Sequence, residues 1–224
     1  MTVQKIGILS QNGAHPAFVE GAYRVVDSLV RSCSTPDKYQ VFRVQNADAF
    51  VAPMIQKGIS QAILDKNRYT RRGYFQINAE PIMEDMLTYT AAHPDTEFVL
   101  VMRDSIYAQK LNYFLGVNRK GFSRFGHLLN TTIISTGKNS PFELDGITFQ
   151  SVLMHELGHR FGCTDQQNRR PGELYDYKQL GTHCTTPGCI MNVMNSLQEG
   201  RVAAHRRATY CPGCITAMRK ELSR

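Results

Sequence analysis

Residues 151–162 read Ser-Val-Leu-Met-His-Glu-Leu-Gly-His-Arg-Phe-Gly, with His155 and His159 four apart and Glu156 beside the first. On an α-helix, residues four apart share a face one turn apart. Both imidazoles can therefore grip one Zn²⁺ at about 2.0–2.1 Å per nitrogen. This is the H-E-x-x-H spacing of hydrolytic zinc sites. Glu156 is placed to exchange protons with a water without itself ligating the metal. The helix has a second side. Phe149, Leu153 and Leu157 recur every four residues as an apolar stripe. At roughly 100° per residue each histidine lies about 200° from the leucine two positions before it, so one side can meet a core and the other a cleft. A core helix carrying two histidines by chance is the competing reading, and the intact Glu156 weighs against it.

Four of the six cysteines, Cys184, Cys189, Cys211 and Cys214, fall in two pairs with metal-type spacing. They can close a tetrahedral four-thiolate zinc site, which has no free position and is therefore structural. Two zinc ions per chain are thus expected, one catalytic and one structural. Four thiolates around Zn²⁺ leave a charge of −2, which the basic residues Arg201, Arg206, Arg207, Arg219 and Lys220 are expected to offset. Cys33 and Cys163 stand outside the pairs and read as buried free thiols. Paired metal-type cysteines fit a reducing compartment better than a disulfide framework does.

Gly162 comes three residues after His159, and glycine can take the left-handed conformation that ends a helix and turns the chain back. H-E-x-x-H-x-x-G resembles the metzincin metallopeptidases. His183-Cys184, four residues, Cys189-Ile190-Met191, Asn195-Ser196-Leu197 and a distant Cys211-Pro-Gly-Cys214 resemble the archaemetzincin family more narrowly. The resemblance spans Ser151 to Cys214 and is weaker upstream. It implies an α/β (α+β) metzincin-like fold with a twisted mixed β-sheet, an active-site helix and a small C-terminal lobe built on the four-cysteine zinc site. It also implies peptide-bond hydrolysis with Glu156 as general base and then acid, and Met191 as a floor packed beneath the zinc.

The third catalytic ligand departs from the family pattern, which places a histidine three residues after the glycine and a cysteine directly after that. Here Asp165 has the spacing, and zinc accepts a carboxylate oxygen. His183 has the His-Cys junction, but only after an insertion, Thr164 to Thr182. The residue-by-residue match of its neighbours favours His183, with Asp165 as the alternative and the insertion as a surface loop near the cleft, such as a lid.

The 224 residues suit one catalytic domain in two lobes: 1–162, including the active-site helix, and 163–224, with the insertion, Met191 and the cysteines. Strands are expected over Gln4–Ser10, Tyr39–Val44, Tyr74–Ile77, Phe98–Met102, Leu111–Val117 and Leu129–Ser135. Helices are expected over Ala17–Ser32, Met54–Lys66 starting at Pro53, and Pro81–Ala92. Alternation of the two suggests a mixed sheet with helices packed on it. Tyr113–Val117 is the expected cleft edge, able to pair with an extended peptide. Asn67–Phe75 and Asn118–Gly126 mix bases with aromatics and read as loops. No apolar run approaches a membrane span, and the N-terminus reads as a strand rather than a secretory signal, so a cytoplasmic location is expected. The net charge of +7 is moderate. That charge gives little ground for a nucleic-acid role; the resemblance implies a peptide or protein substrate, and a non-catalytic zinc protein of the same fold, binding nucleic acid or a protein partner, is the alternative.

Overall fold

The computed structural model describes residues 3–34, 37–65, 75–108, 116–122, 128–138, 140, 143–170, 172–177, 181–192 and 197–223. In chain order the main elements are β1 (Gln4–Ser10), α1 (Pro16–Cys33), β2 (Tyr39–Arg43), α2 (Asp48–Leu64), β3 (Ile77–Asn78), α3 (Ala79–Ala92), β4 (Thr96–Met102), β5 (Ile106–Tyr107), β6 (Gly116–Phe122), β7 (Leu128–Ser135), α4 (Gly146–Arg160), β8 (Leu174–Tyr177), β9 (Gly181–Cys184), α5 (Leu197–His205) and α6 (Pro212–Leu222). Five strands form one sheet in the order β2-β1-β4-β7-β6. The first four run parallel and β6 runs antiparallel along β7.

Side chains alternate across a strand, and that alternation divides the core in two. Ile6, Ile8, Val99, Val101 and Ile134 face α1 and α4, together with Ala22, Val26, Phe149, Leu153 and Leu157. Leu9, Phe98, Leu100, Met102 and Ile133 face α2 and α3 on the other side. Strand β4 is covered on both faces, which is why Phe98–Met102 is an unbroken apolar run. The first core continues into the C-terminal segment through Ile190, Met191, Tyr210, Met218 and Leu222. Among the described residues no helix is long and apolar enough to cross a membrane.

Several expected elements are corrected. Helix α2 begins at Asp48, and Pro53 lies inside it rather than at its start. Ala47 and Val51 bury themselves in the core, and that burial outweighs the amide proline lacks. The outer strand β6 lies at Gly116–Phe122, so residues 118–122 of an expected loop are strand, paired residue for residue with β7. The partner strand decides this, since β-propensity yields to pairing context. Residues 111–115, 123–127 and 67–74 of the expected strand and loops lie outside the described residues.

Helix α4 is held at both ends. Asp145 caps its start: Oδ1 accepts from the Ile147 and Thr148 amides at 3.0 and 2.9 Å, and Oδ2 accepts from Thr148 Oγ1 at 2.7 Å. At its last turn the fully buried Arg160 donates to the Phe98 carbonyl at 3.0 Å and pairs with Glu97 at 2.6 Å, tying the helix to β4. Gly162 follows at φ 73°, and the Cys163 amide donates back to the Gly158 carbonyl at 2.9 Å.

The cap predicts a pH signature. Hydrogen bonds from the Thr148 amide above all hold the Asp145 carboxyl below its usual pKa, against a smaller opposing effect of burial. A depressed carboxyl stabilises the fold above its unfolded pKa, and that stability is lost as pH falls through the folded value. Asp145→Ala is expected to cost about 1 kcal/mol at pH 7. By urea denaturation, the gap to the parent protein should close below about pH 4.

Candidate metal centres

Helix α4 carries His155 and His159 one turn apart, and the hairpin β8–β9 delivers His183 to them. In that hairpin Tyr175 pairs with His183 and Leu174 with Cys184. One nitrogen from each of the three imidazoles lies within 4.8 Å of the others. His155 and His183 are buried, while His159 and Glu156 are half-buried. The Nε2 atoms of His155 and His159 are 3.1 Å apart. Two ligands at about 2.05 Å on a tetrahedral ion would stand about 3.3 Å apart.

The hydrogen bonds fix the proton on His155. Its Nδ1 lies 2.8 Å from the Ile190 carbonyl, which can only accept, so Nδ1 carries the hydrogen and Nε2 is left as a bare lone pair. Burial, ahead of a bond to Ile190 that acts the other way, pulls the His155 pKa down to about 4, so the ring is neutral at physiological pH. A neutral imidazole whose far nitrogen is tied to a carbonyl is the form that ligates metals. His159 Nδ1 is likewise held, 3.0 Å from Thr164 Oγ1.

Met191 is fully buried against helix α4. A Cβ on Gly158 would lie 2.1 Å from the Met191 sulfur and 3.0 Å from the Tyr210 ring. Glycine in the motif is thus the residue that lets the helix settle onto Met191. The Tyr210 hydroxyl donates to the Met154 carbonyl, one residue before His155. Glu156 lies against Gly116 of β6, where a Cβ would come 2.5 Å from the Glu156 Cγ. Burial pushes the Glu156 carboxyl up to about 8. Gly116 falls within the expected edge strand, but neither its contact with Glu156 nor that of Tyr210 with Met154 was legible, because each is a close approach between segments distant in sequence.

The four cysteines also converge, with their sulfurs all within 4.8 Å of one another. The Cys184–Cys211 and Cys189–Cys214 sulfurs are 3.7 and 3.6 Å apart. Sulfurs bound at about 2.3 Å to one tetrahedral ion would stand about 3.8 Å apart. Burial works against the Cys211 thiolate, but hydrogen bonds from the Cys214 amide, Thr186 and neighbouring thiols outweigh it and bring the pKa down to about 6. Cys189 is pushed up, first by its contact with the Cys214 sulfur and then by burial. Sulfurs this close cannot all carry charge without a cation among them, and four thiols are the donor set zinc prefers.

The remaining expectations divide. Asp165 is not part of the imidazole group. It heads the 3₁₀ turn Gln166–Asn168, its carboxylate beside Gly162. The insertion is more than a loop, since it contains that turn, β8 and the start of β9. The basic residues expected to offset the cysteine charge, Arg201, Arg206, Arg207, Arg219 and Lys220, are all exposed. Arg169, from the insertion, meets the sulfurs instead. Cys33 and Cys163 are buried and free as expected, Cys163 donating weakly to the Cys214 carbonyl at 3.6 Å.

No protein-family model and no curated protein matches the sequence. Solved structures do. An archaemetzincin from Methanopyrus kandleri is 17% identical with a TM-score of 0.52, covering 99% of this chain and 97% of that one. An archaemetzincin from Archaeoglobus fulgidus, solved with malonate, is 19% identical with a TM-score of 0.49, covering 96% and 99%. A zinc-dependent peptidase from Methanocorpusculum labreanum is 13% identical with a TM-score of 0.47, covering 95% and 99%. On the first of these likenesses the chain has the archaemetzincin fold, over nearly its whole length, as its motifs implied.

Because Met191 sits where a Gly158 side chain would be, Gly158→Ala should overpack the junction and cost about 1–3 kcal/mol. Chemical denaturation should show this loss, and Met191→Ala in the same chain should relieve part of it.

Proposed function

We propose that the protein is a zinc-dependent metallopeptidase, with His155, His159 and His183 holding a catalytic zinc and Glu156 as the proton-transfer residue. The observation that carries this reading is the convergence of three imidazoles from two distant segments, with an ionisable carboxylate on the next helical position. A purely structural zinc has no use for that carboxylate. Cys184, Cys189, Cys211 and Cys214 hold a second, structural zinc, making two per chain. Residues 1–162 and 163–224 act as the two lobes of one catalytic domain.

When bound, the catalytic zinc supplies Lewis acidity toward water and toward a carbonyl oxygen. The chain's own groups do the rest. Strand β6 is an outer strand of the sheet, and its first residue, Gly116, touches Glu156. An extended peptide pairing with that edge passes its backbone beside the carboxylate. Glu156 accepts a proton from water as the water oxygen bonds to the peptide carbonyl carbon. It then delivers that proton to the amide nitrogen as the C–N bond breaks. The Ile190 carbonyl and Thr164 hydroxyl hold two of the imidazoles in the orientation the ligand set needs.

Glu156→Gln should retain two equivalents of zinc by elemental analysis while losing at least about 100-fold in kcat against a broad peptide library. Unchanged cleavage by this variant, or no cleavage by the zinc-loaded parent protein, overturns the proposal. His183→Ala should lose one zinc and Asp165→Ala none; the reverse outcome makes Asp165 the third ligand. Gly116→Ala should displace the carboxylate and lower kcat with both metals retained.

A further inference from the structure

Among the described residues, the charged side chain that meets the cysteine sulfurs comes from the insertion. Arg169 follows the 3₁₀ turn Gln166–Asn168, and its side chain is 2% exposed. Nη1 lies 3.1 Å from the Cys214 sulfur and Nη2 lies 3.2 Å from the Cys184 sulfur. One guanidinium thus spans one cysteine of each pair. Its other edge faces Glu173, whose carboxylate forms an ion pair with Nε at 3.0 Å without a hydrogen bond and whose carbonyl accepts from Nη2 at 3.5 Å. The Glu173 carboxylate also accepts from the Arg170 amide at 3.1 Å, and the Glu173 carbonyl from the Thr185 amide at 3.2 Å. The arginine is therefore held from behind as well as in front.

A buried guanidinium is costly unless its charge is answered. Four thiolates around a divalent ion leave −2, and Arg169 answers half of it at hydrogen-bond range. N–H donors on a metal-bound thiolate draw electron density from sulfur. That lowers its nucleophilicity and steadies the metal. We propose that Arg169 is the positioning and shielding residue of the four-cysteine site: its forked N–H···S contacts to Cys184 and Cys214 retain the metal and protect those two sulfurs from electrophiles. The inserted segment thereby does for the thiolates what the exposed basic tail does not. This rests on the four-thiolate zinc reading above but not on peptidase activity.

The test uses the full-length chain, loaded with zinc or with Co²⁺, and compares Arg169→Ala and Arg169→Lys with the tail control Arg206→Ala. Under N-ethylmaleimide, Arg169→Ala should release thiolate-bound zinc to a chromogenic chelator about tenfold faster. Mass spectrometry should place the added alkylation at Cys184 and Cys214 rather than at Cys189 and Cys211. In the Co²⁺ form the sulfur-to-cobalt charge-transfer band should move to lower energy, because the sulfur electrons are no longer held by the N–H donors. Arg169→Lys, which keeps the charge but not the fork, should fall between, and it carries the test if the alanine variant does not fold. Arg206→Ala should match the parent. Unchanged release and an unmoved band overturn the proposal, as does alkylation rising equally at all four cysteines, which marks a loosened segment. A parent protein showing no sulfur-to-cobalt band at all instead sinks the four-thiolate reading itself.

Discussion

The contact on which the rest of the site depends is the bond from His155 Nδ1 to the Ile190 carbonyl, 2.8 Å long and buried. It sets the tautomer of one imidazole, and it joins the helix to the segment between Cys189 and Met191. Without it the ring could turn or hold its proton on the wrong nitrogen, and the three-histidine geometry would not persist. The same segment presses Met191 onto Gly158 and sends the Ile190 amide to the Thr209 carbonyl at 2.9 Å. One short stretch therefore faces the imidazoles on one side and the thiols on the other.

That arrangement makes the two candidate metal centres mechanically one. His183 and Cys184 are consecutive, so any movement of one sulfur is felt by the imidazole beside it. The Cys184 amide donates to the Met191 carbonyl at 3.0 Å, and the Asn192 side chain donates to the Cys184 carbonyl at 2.7 Å. These bonds close the loop that carries both groups. In the proposed reading, a structural metal with no open position is what lets a C-terminal segment of modest apolar content hold a ligand for a metal that must keep one.

The sheet contributes rigidity at a different point. Arg160, at the end of helix α4, reaches through the core to Glu97 and the Phe98 carbonyl on a central strand. A charge buried this deeply is stable only while its partners stay in place. The helix is thus registered against the sheet at one end, capped by Asp145 at the other, and fixed along its length by Met191.

Much of this was readable from residue types and intervals. The helical turn with two histidines and a glutamate, the left-handed glycine after it, the cysteine pairs, and the apolar runs of β1 and β4 are local patterns, and local patterns follow from helix and strand geometry. What tertiary structure alone decided were the meetings between distant segments. Asp165 had the expected interval and His183 did not, yet a hairpin that begins in the insertion carries His183 to the helix because strand pairing sets where its residues lie. The edge strand lies further along, in a polar, basic stretch, because β7 was there to pair with it. Gly116, Tyr210 and Arg169 matter through close contacts with Glu156, Met154 and Cys214, each dozens of residues away along the chain. No interval in a sequence encodes such proximity, since it arises only when the whole chain has packed.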